Sequence, residues 1–97
     1  NNSSGALEDL NVIRNRAGLT DTSATTQEEL LEAVLQERRI ELLAEHGHRW
    51  FDLNRHNRAD AVLAPIKPAW RPTNIVLPIP ETELLMNPNL NPQNNGY

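Results

Sequence analysis

The sequence predicts a mainly α fold: a helical hairpin, a short third helix, and an irregular C-terminal extension rich in Pro and Asn. Three observations predict it. Apolar residues in the first part of the chain recur at three- and four-residue steps, the period of a one-sided helix. Helix start and stop signals bracket those stripes. All seven prolines lie beyond residue 64, where they bar long helices and central strands.

The first segment, 1–18, carries Ala6, Leu7, Leu10, Ile13 and Ala17 on one stripe. Ser4 is the expected N-cap, and Glu8 and Asp9 suit the positive end of the helix dipole. Arg14 and Arg16 sit near the other end, and Gly18 supplies the stop. One such stripe is not stable alone. A polar loop, 19–25, follows. Thr26 and Glu29 then form a capping box that opens a second helix, expected from 27 to 45 or 46. Its stripe is Leu31, Val34, Leu35, Leu42 and Leu43, with Leu30 and Ile40 beside it. Gly47 is the expected left-handed terminator. The connecting loop is short enough for an antiparallel hairpin.

Residues 48–57 read as one short helix packed back on the hairpin, with Trp50 and Phe51 as core. Residues 59–74 read as loop, with Pro65, Pro68 and Pro72. Ile75 to Pro80 reads as a brief extended segment, and 81–86 as one helical turn opened by Pro80. The tail, 87–97, has no periodicity and is ordered only if something holds it. The whole chain therefore reads as one segment, helical over 1–58 and loop plus extended tail over 59–97.

Composition narrows the function. Only 38% of the 97 residues are hydrophobic and four are aromatic, so a large self-sufficient core is not expected. The net charge of −4 and the lack of a Lys/Arg run argue against a nucleic-acid footprint. No apolar stretch approaches the ~20 residues of a membrane span. The first residues have neither the charge nor the apolar run of a signal peptide. No initiator Met is present, so the chain is expected to start inside a longer protein. With no cysteine, disulfides, Cys-based zinc sites and thiol nucleophiles are excluded.

The densest charge runs through Glu37, Arg38, Arg39 and Glu41 to Glu45, Arg49 and Asp52. Glu37, Glu41 and Glu45 stand four apart, so all three carboxylates are expected on one helix face. Arg38 falls on the apolar stripe, where a charge must be paired. Glu37, Arg38, Glu41, Glu45, Arg49 and Asp52 are therefore read as a structural ion network tying the second helix to the Trp50 segment. An acid/base carboxylate pair is the competing reading, but no nucleophile, oxyanion loop or cofactor motif accompanies it. Glu45, His46, His48 and His56 invite a metal reading, with Glu45 as a third ligand beside the His-x-His pair, although nothing fixes a fourth. Trp50 has a sugar-stacking alternative to its core role. Trp70, in a Pro-flanked loop with Lys67 and Arg71, is the candidate contact residue for a ligand or partner.

Four stretches, in order, resemble the SusD/RagB-like proteins. Leu10 to Leu19 is similar to that family's LN-x-x-R-x-RAGL helix end, and Glu37 to Leu42 to its ERR-x-EL segment. Glu45 to Arg55 resembles E-x-G-x-RWFDL-x-R. Leu77 to Pro80, then Glu83, Asn87 to Leu90 and Gln93 to Tyr97, resembles the closing LPIP…E…NPNL…QN-x-GY. His46 replaces a large apolar residue common in relatives, Asn54 replaces a basic one, and Asn91 and Pro92 lengthen the spacing after Leu90.

The resemblance implies the C-terminal part of a mainly helical, tetratricopeptide-like protein, lipid-anchored on the outer face of the outer membrane in Bacteroidetes. It implies glycan or nutrient binding beside a SusC-like TonB-dependent transporter, and no enzymatic activity. The matching residues, Arg38, Arg49, Trp50 and Asp52 among them, look like scaffold. Sugar-contacting aromatics in the family generally come from upstream segments. The expectation is no catalytic, cofactor or metal residue, with the remainder of the same chain as a partner. A free-standing helical interaction module and a small metal-dependent hydrolase using Glu45, His46 and His48 are the competing readings.

Overall fold

A computed structural model describes residues 2–97; residue 1, the start of the first predicted segment, lies outside them. The elements are α1 (Ser3–Arg16), α2 (Gln27–Glu41), α3 (His48–Arg55), α4 (Ala59–Leu63) and α5 (Glu81–Met86), with 3-10 turns at Pro72–Ile75 and Pro88–Leu90. No strand occurs among the described residues. The chain divides into two compact units, one running to Asp52 and the other Leu53–Tyr97.

In the first unit, α1 starts earlier than predicted. Asn2, not Ser4, is the N-cap, and its Oδ1 accepts from the Gly5 amide at 3.0 Å. Asn caps as well as Ser, and starting at Asn2 adds residues to the helix. The far end closes as predicted. Gly18 takes φ 75°, the Leu19 amide donates to the Arg14 carbonyl at 2.9 Å, and the Gly18 amide to that of Asn15 at 3.0 Å. This paired pattern satisfies carbonyls the helix leaves open.

The loop then folds back along α1. Arg14 Nε donates to the Thr20 carbonyl at 2.9 Å, and the Thr22 amide to Asn11 Oδ1 at 3.0 Å. The predicted capping box opens α2: the Glu29 amide donates to Thr26 Oγ1 at 3.2 Å, and the Thr26 amide to Glu29 Oε2 at 3.1 Å. The ion pairs Arg14–Glu37 and Arg16–Glu41 set the C-terminal halves of α1 and α2 together. A tight antiparallel hairpin would instead place the end of α1 against the start of α2. The pinned, returning loop is the reason for the difference.

Helix α2 ends at Glu41, six residues before Gly47, its predicted terminator. Ala44 (φ 63°) and His46 (φ 41°) are left-handed, and so is Gly47 (φ 72°). Such backbone costs a non-glycine residue roughly 1 kcal/mol. The turn brings α3 round so that Asp52 meets Arg38, and the Gly47 carbonyl accepts from the amides of Trp50 at 2.9 Å and Phe51 at 3.2 Å.

Leu10, Leu30 and Leu35 form the buried core of this unit. Leu31 and Leu43, predicted on the apolar stripe, are exposed, whereas Leu30, predicted beside it, is buried. The early end of α2 carries Leu43 out of the helical register. Phe51, predicted as core, is 55% exposed, and Trp50 is half-buried.

The second unit is built around Leu53 and Ala59, both buried. Residues 59–74, predicted as loop, contain α4 and a 3-10 turn. Ala59 to Leu63 is a run of helix-compatible residues that ends before Pro65. Residues 76–80 are irregular and extended, and α5 forms where predicted.

The tail is ordered because side chains stand in for a partner strand. Gln93 clasps the Ile79 peptide from both sides: the Ile79 amide donates to Gln93 Oε1 at 2.8 Å, and Gln93 Nε2 donates to the Ile79 carbonyl at 2.8 Å. Asn94 Nδ2 adds a bond to the Leu77 carbonyl at 2.8 Å. Pro78 and Pro80 lack amide hydrogens, so Ile79 carries the one donor in that stretch, and Gln93 takes it.

Candidate functional site

Three ion pairs organise the first unit. Arg38 Nε donates to Asp52 Oδ2 at 2.9 Å, and Arg38 Nη2 to Oδ1 at 3.1 Å. This fork matches the guanidinium plane to the carboxylate. Asp52 is nearly buried, with 9% of its side chain exposed, while Arg38 keeps 39%. Arg14 Nη1 reaches Glu37 Oε2 at 2.8 Å, and Glu37 is more deeply buried still, at 5%. Arg16 Nη2 meets Glu41 Oε2 at 2.6 Å in a much more open setting.

Glu37, Arg38, Glu41 and Asp52 thus lie in these pairs. Glu45 and Arg49 do not: both are exposed and neither forms an ion pair among the described residues. Glu45 follows the end of α2, so it cannot share a helix face with Glu37 and Glu41. The partners of Glu37 and Glu41 are Arg14 and Arg16, which in the sequence stand out only as charges at the end of a helix. Charge type and position at the C-terminus of α1 were visible, but which carboxylate each would meet depends on how the loop returns.

The carboxylate whose protonation is most clearly biased is Glu29. Its backbone hydrogen bonds from Thr25 and Thr26, reinforced by the Thr25 hydroxyl, hold its pKa below the ordinary glutamate value.

Between α1 and α2 runs an open groove of about 650 Å³. Ala6, Leu10, Val12 and Ile13 line one side, and Val34 and Leu42 the other, with Glu37 and Arg38 among the charged lining residues. Val12 is 69% exposed. Most of the surface exposed in the groove is apolar, and Asp9, Arg16 and Glu41 join Glu37 and Arg38 among its charged lining residues.

His46 and His48 stand edge to face with ring centroids 6.4 Å apart. Among the described residues, no three His, Cys, Asp or Glu side chains gather to hold a metal ion.

In the second unit, Trp70 is half-buried and anchored by its polar edge. Its Nε1 donates to Asp60 Oδ1 at 2.7 Å, and its backbone amide to the Lys67 carbonyl at 2.8 Å. The loop is secured further on. The Arg71 amide donates to Asn74 Oδ1 at 2.7 Å, and Asn74 Nδ2 donates to the Tyr97 hydroxyl at 2.9 Å. A hydrogen-bonded, partly open indole is a rigid platform for a flat ligand face. No described helix is long and apolar enough to cross a membrane.

The comparisons place this helical chain in a family. The model for the SusD family matches residues 1–69. The chain belongs to the SusD family. It is 34% identical to "SusD-like protein P2" of Formosa agariphila, over 98% of this chain and 21% of that protein. It is 44% identical to "SusD-like protein P38" of the same organism, over 66% of this chain and 12% of that protein. The chain therefore spans about a fifth or less of the length of these curated relatives. No solved structure matches it significantly.

Proposed function

We propose that this chain is the C-terminal part of a cell-surface glycan- or nutrient-binding protein. The intact protein works beside a SusC-like TonB-dependent transporter, is held on the outer face of the outer membrane by an N-terminal lipid anchor, and is not an enzyme. Family membership over residues 1–69 is the observation that carries this reading. Within that protein the segment serves chiefly as scaffold: six of its charged residues form pairs that tie together α1, α2 and α3. The remainder of the same chain covers the groove between α1 and α2. The exposed apolar lining and the much greater length of the relatives support that assignment.

Trp70 is the proposed ligand-contacting side chain of the segment, with Asp60 orienting its indole. The test is a glycan array probed with the intact protein, followed by the Trp70→Ala variant on any glycan retained. Binding by the intact protein, weakened at least several-fold in the variant, supports both statements. Retention of no glycan, together with failure to co-purify with a TonB-dependent transporter, sinks the functional reading. Undiminished binding by Trp70→Ala removes Trp70 alone.

A further inference from the structure

We propose that Asn95 is a spontaneous deamidation site whose conversion unlatches the C-terminal residues from the 3-10 turn at Pro72–Ile75. Asn95 is the one asparagine in the sequence followed by glycine. Glycine lacks a Cβ, so its backbone nitrogen can approach the preceding side chain unhindered. Both reacting groups are uncommitted. Among the described residues, neither the Asn95 side-chain amide nor the Gly96 backbone amide has a hydrogen-bond partner, and both residues are exposed. The neighbouring Asn94 is the contrast, because its side chain is held by the Leu77 carbonyl at 2.8 Å.

The step is self-contained apart from water. The Gly96 nitrogen gives its proton to solvent base and attacks Asn95 Cγ. A C–N bond forms, the bond from Cγ to the amide nitrogen breaks, and ammonia leaves with a proton from solvent. Water then opens the cyclic imide at either carbonyl, leaving aspartate or isoaspartate and an added negative charge.

The consequence follows from how Gly96 is packed. It sits at φ 101°, and a Cβ there would collide with Thr73 Oγ1. Isoaspartate inserts a methylene into the main chain just before this residue. Gly96 cannot keep its place against Thr73, and Tyr97 is drawn off the Asn74 side chain that it now meets at 2.9 Å. Asn74 also accepts from the Arg71 amide at 2.7 Å, so the loosening reaches the residue next to Trp70.

The experiment keeps the full-length protein folded in mildly alkaline buffer and maps isoaspartate by mass spectrometry over time. Product is expected at Asn95 before any other asparagine, and the Asn95→Gln variant should lose it. Hydrogen exchange of the Arg71 amide should then speed up in the converted fraction. Conversion first at another asparagine, or at Asn95 only after denaturation, overturns the site. Unchanged exchange at Arg71 in converted protein overturns the unlatching.

Discussion

Arg38 and Asp52 face each other through two hydrogen bonds, at 2.9 and 3.1 Å, across the turn that separates α2 from α3. The two partners differ in solvent access: Asp52 keeps 9% of its side chain exposed and Arg38 keeps 39%. Removing one partner is therefore not equivalent to removing the other. Arg38→Ala takes the guanidinium away from a buried carboxylate and should cost about 3 kcal/mol. Asp52→Ala leaves a guanidinium that water can reach, and should cost about 1–2 kcal/mol. Denaturant unfolding of the intact protein checks the order, and equal losses would show that burial does not set the cost.

The same reasoning separates the two pairs between α1 and α2. Arg14→Ala leaves Glu37, 5% exposed, without its partner, and should destabilise by about 3 kcal/mol. Arg16→Ala breaks a pair whose arginine is 70% exposed, and should change stability by about 0.5 kcal/mol or less. Melting curves of the two variants, compared in one buffer, decide it. A large loss from Arg16→Ala would place that pair in a drier setting than the structure gives it.

The capping box links stability to pH in a defined direction. The Glu29 pKa is depressed in the fold by the Thr25 and Thr26 amides. A depressed carboxyl stabilises fully above its unfolded pKa, and that contribution is lost as pH falls through the lower, folded pKa. A carboxyl NMR titration should therefore place Glu29 below the ordinary glutamate value. Thr26→Ala removes the cap oxygen that accepts from the Glu29 amide and should cost about 1 kcal/mol, while the Thr25 and Thr26 amides still hold the Glu29 carboxyl low.

Gln93 replaces a β-strand partner for Ile79. Gln93→Ala removes both bonds to Ile79 and the one that Gln93 Oε1 accepts from the Asn94 amide, and should weaken the tail by about 3 kcal/mol, at roughly 1 kcal/mol per bond. The Ile79 amide, now donated to Gln93 Oε1, should exchange faster with solvent. Gln93→Glu keeps an acceptor for that amide but loses the bond to the Ile79 carbonyl, so its effect should fall between wild type and Gln93→Ala. Equal exchange in all three proteins would show that the clasp does not hold the tail.

Local signals were legible in the sequence wherever the chemistry is local. The Thr26–Glu29 box and the Gly18 stop each depend on residues a few positions apart, and both form as read. The N-cap of α1 was misplaced by two residues because Asn2 and Ser4 are near-equal caps and only the helix as formed distinguishes them. The short helix Ala59–Leu63 was hidden among prolines that lie just beyond it. At the candidate site, Trp70 was visible as an aromatic residue in an unusual loop, but its bond to Asp60 was not. Those residues stand ten apart with no shared periodicity.

By itself the sequence determined the helical class, the cap chemistry, the absence of thiol chemistry and, through four ordered motifs, the resemblance to the SusD family. Tertiary structure decided where α2 stops, which arginine meets which carboxylate, and which leucines are buried. The physical reason is range. Caps and periodic stripes are settled within a few residues by backbone hydrogen bonding. The pairing of Arg14 with Glu37 and of Arg38 with Asp52 depends on the path of the intervening loops, and a buried charge accepts whichever partner that path delivers.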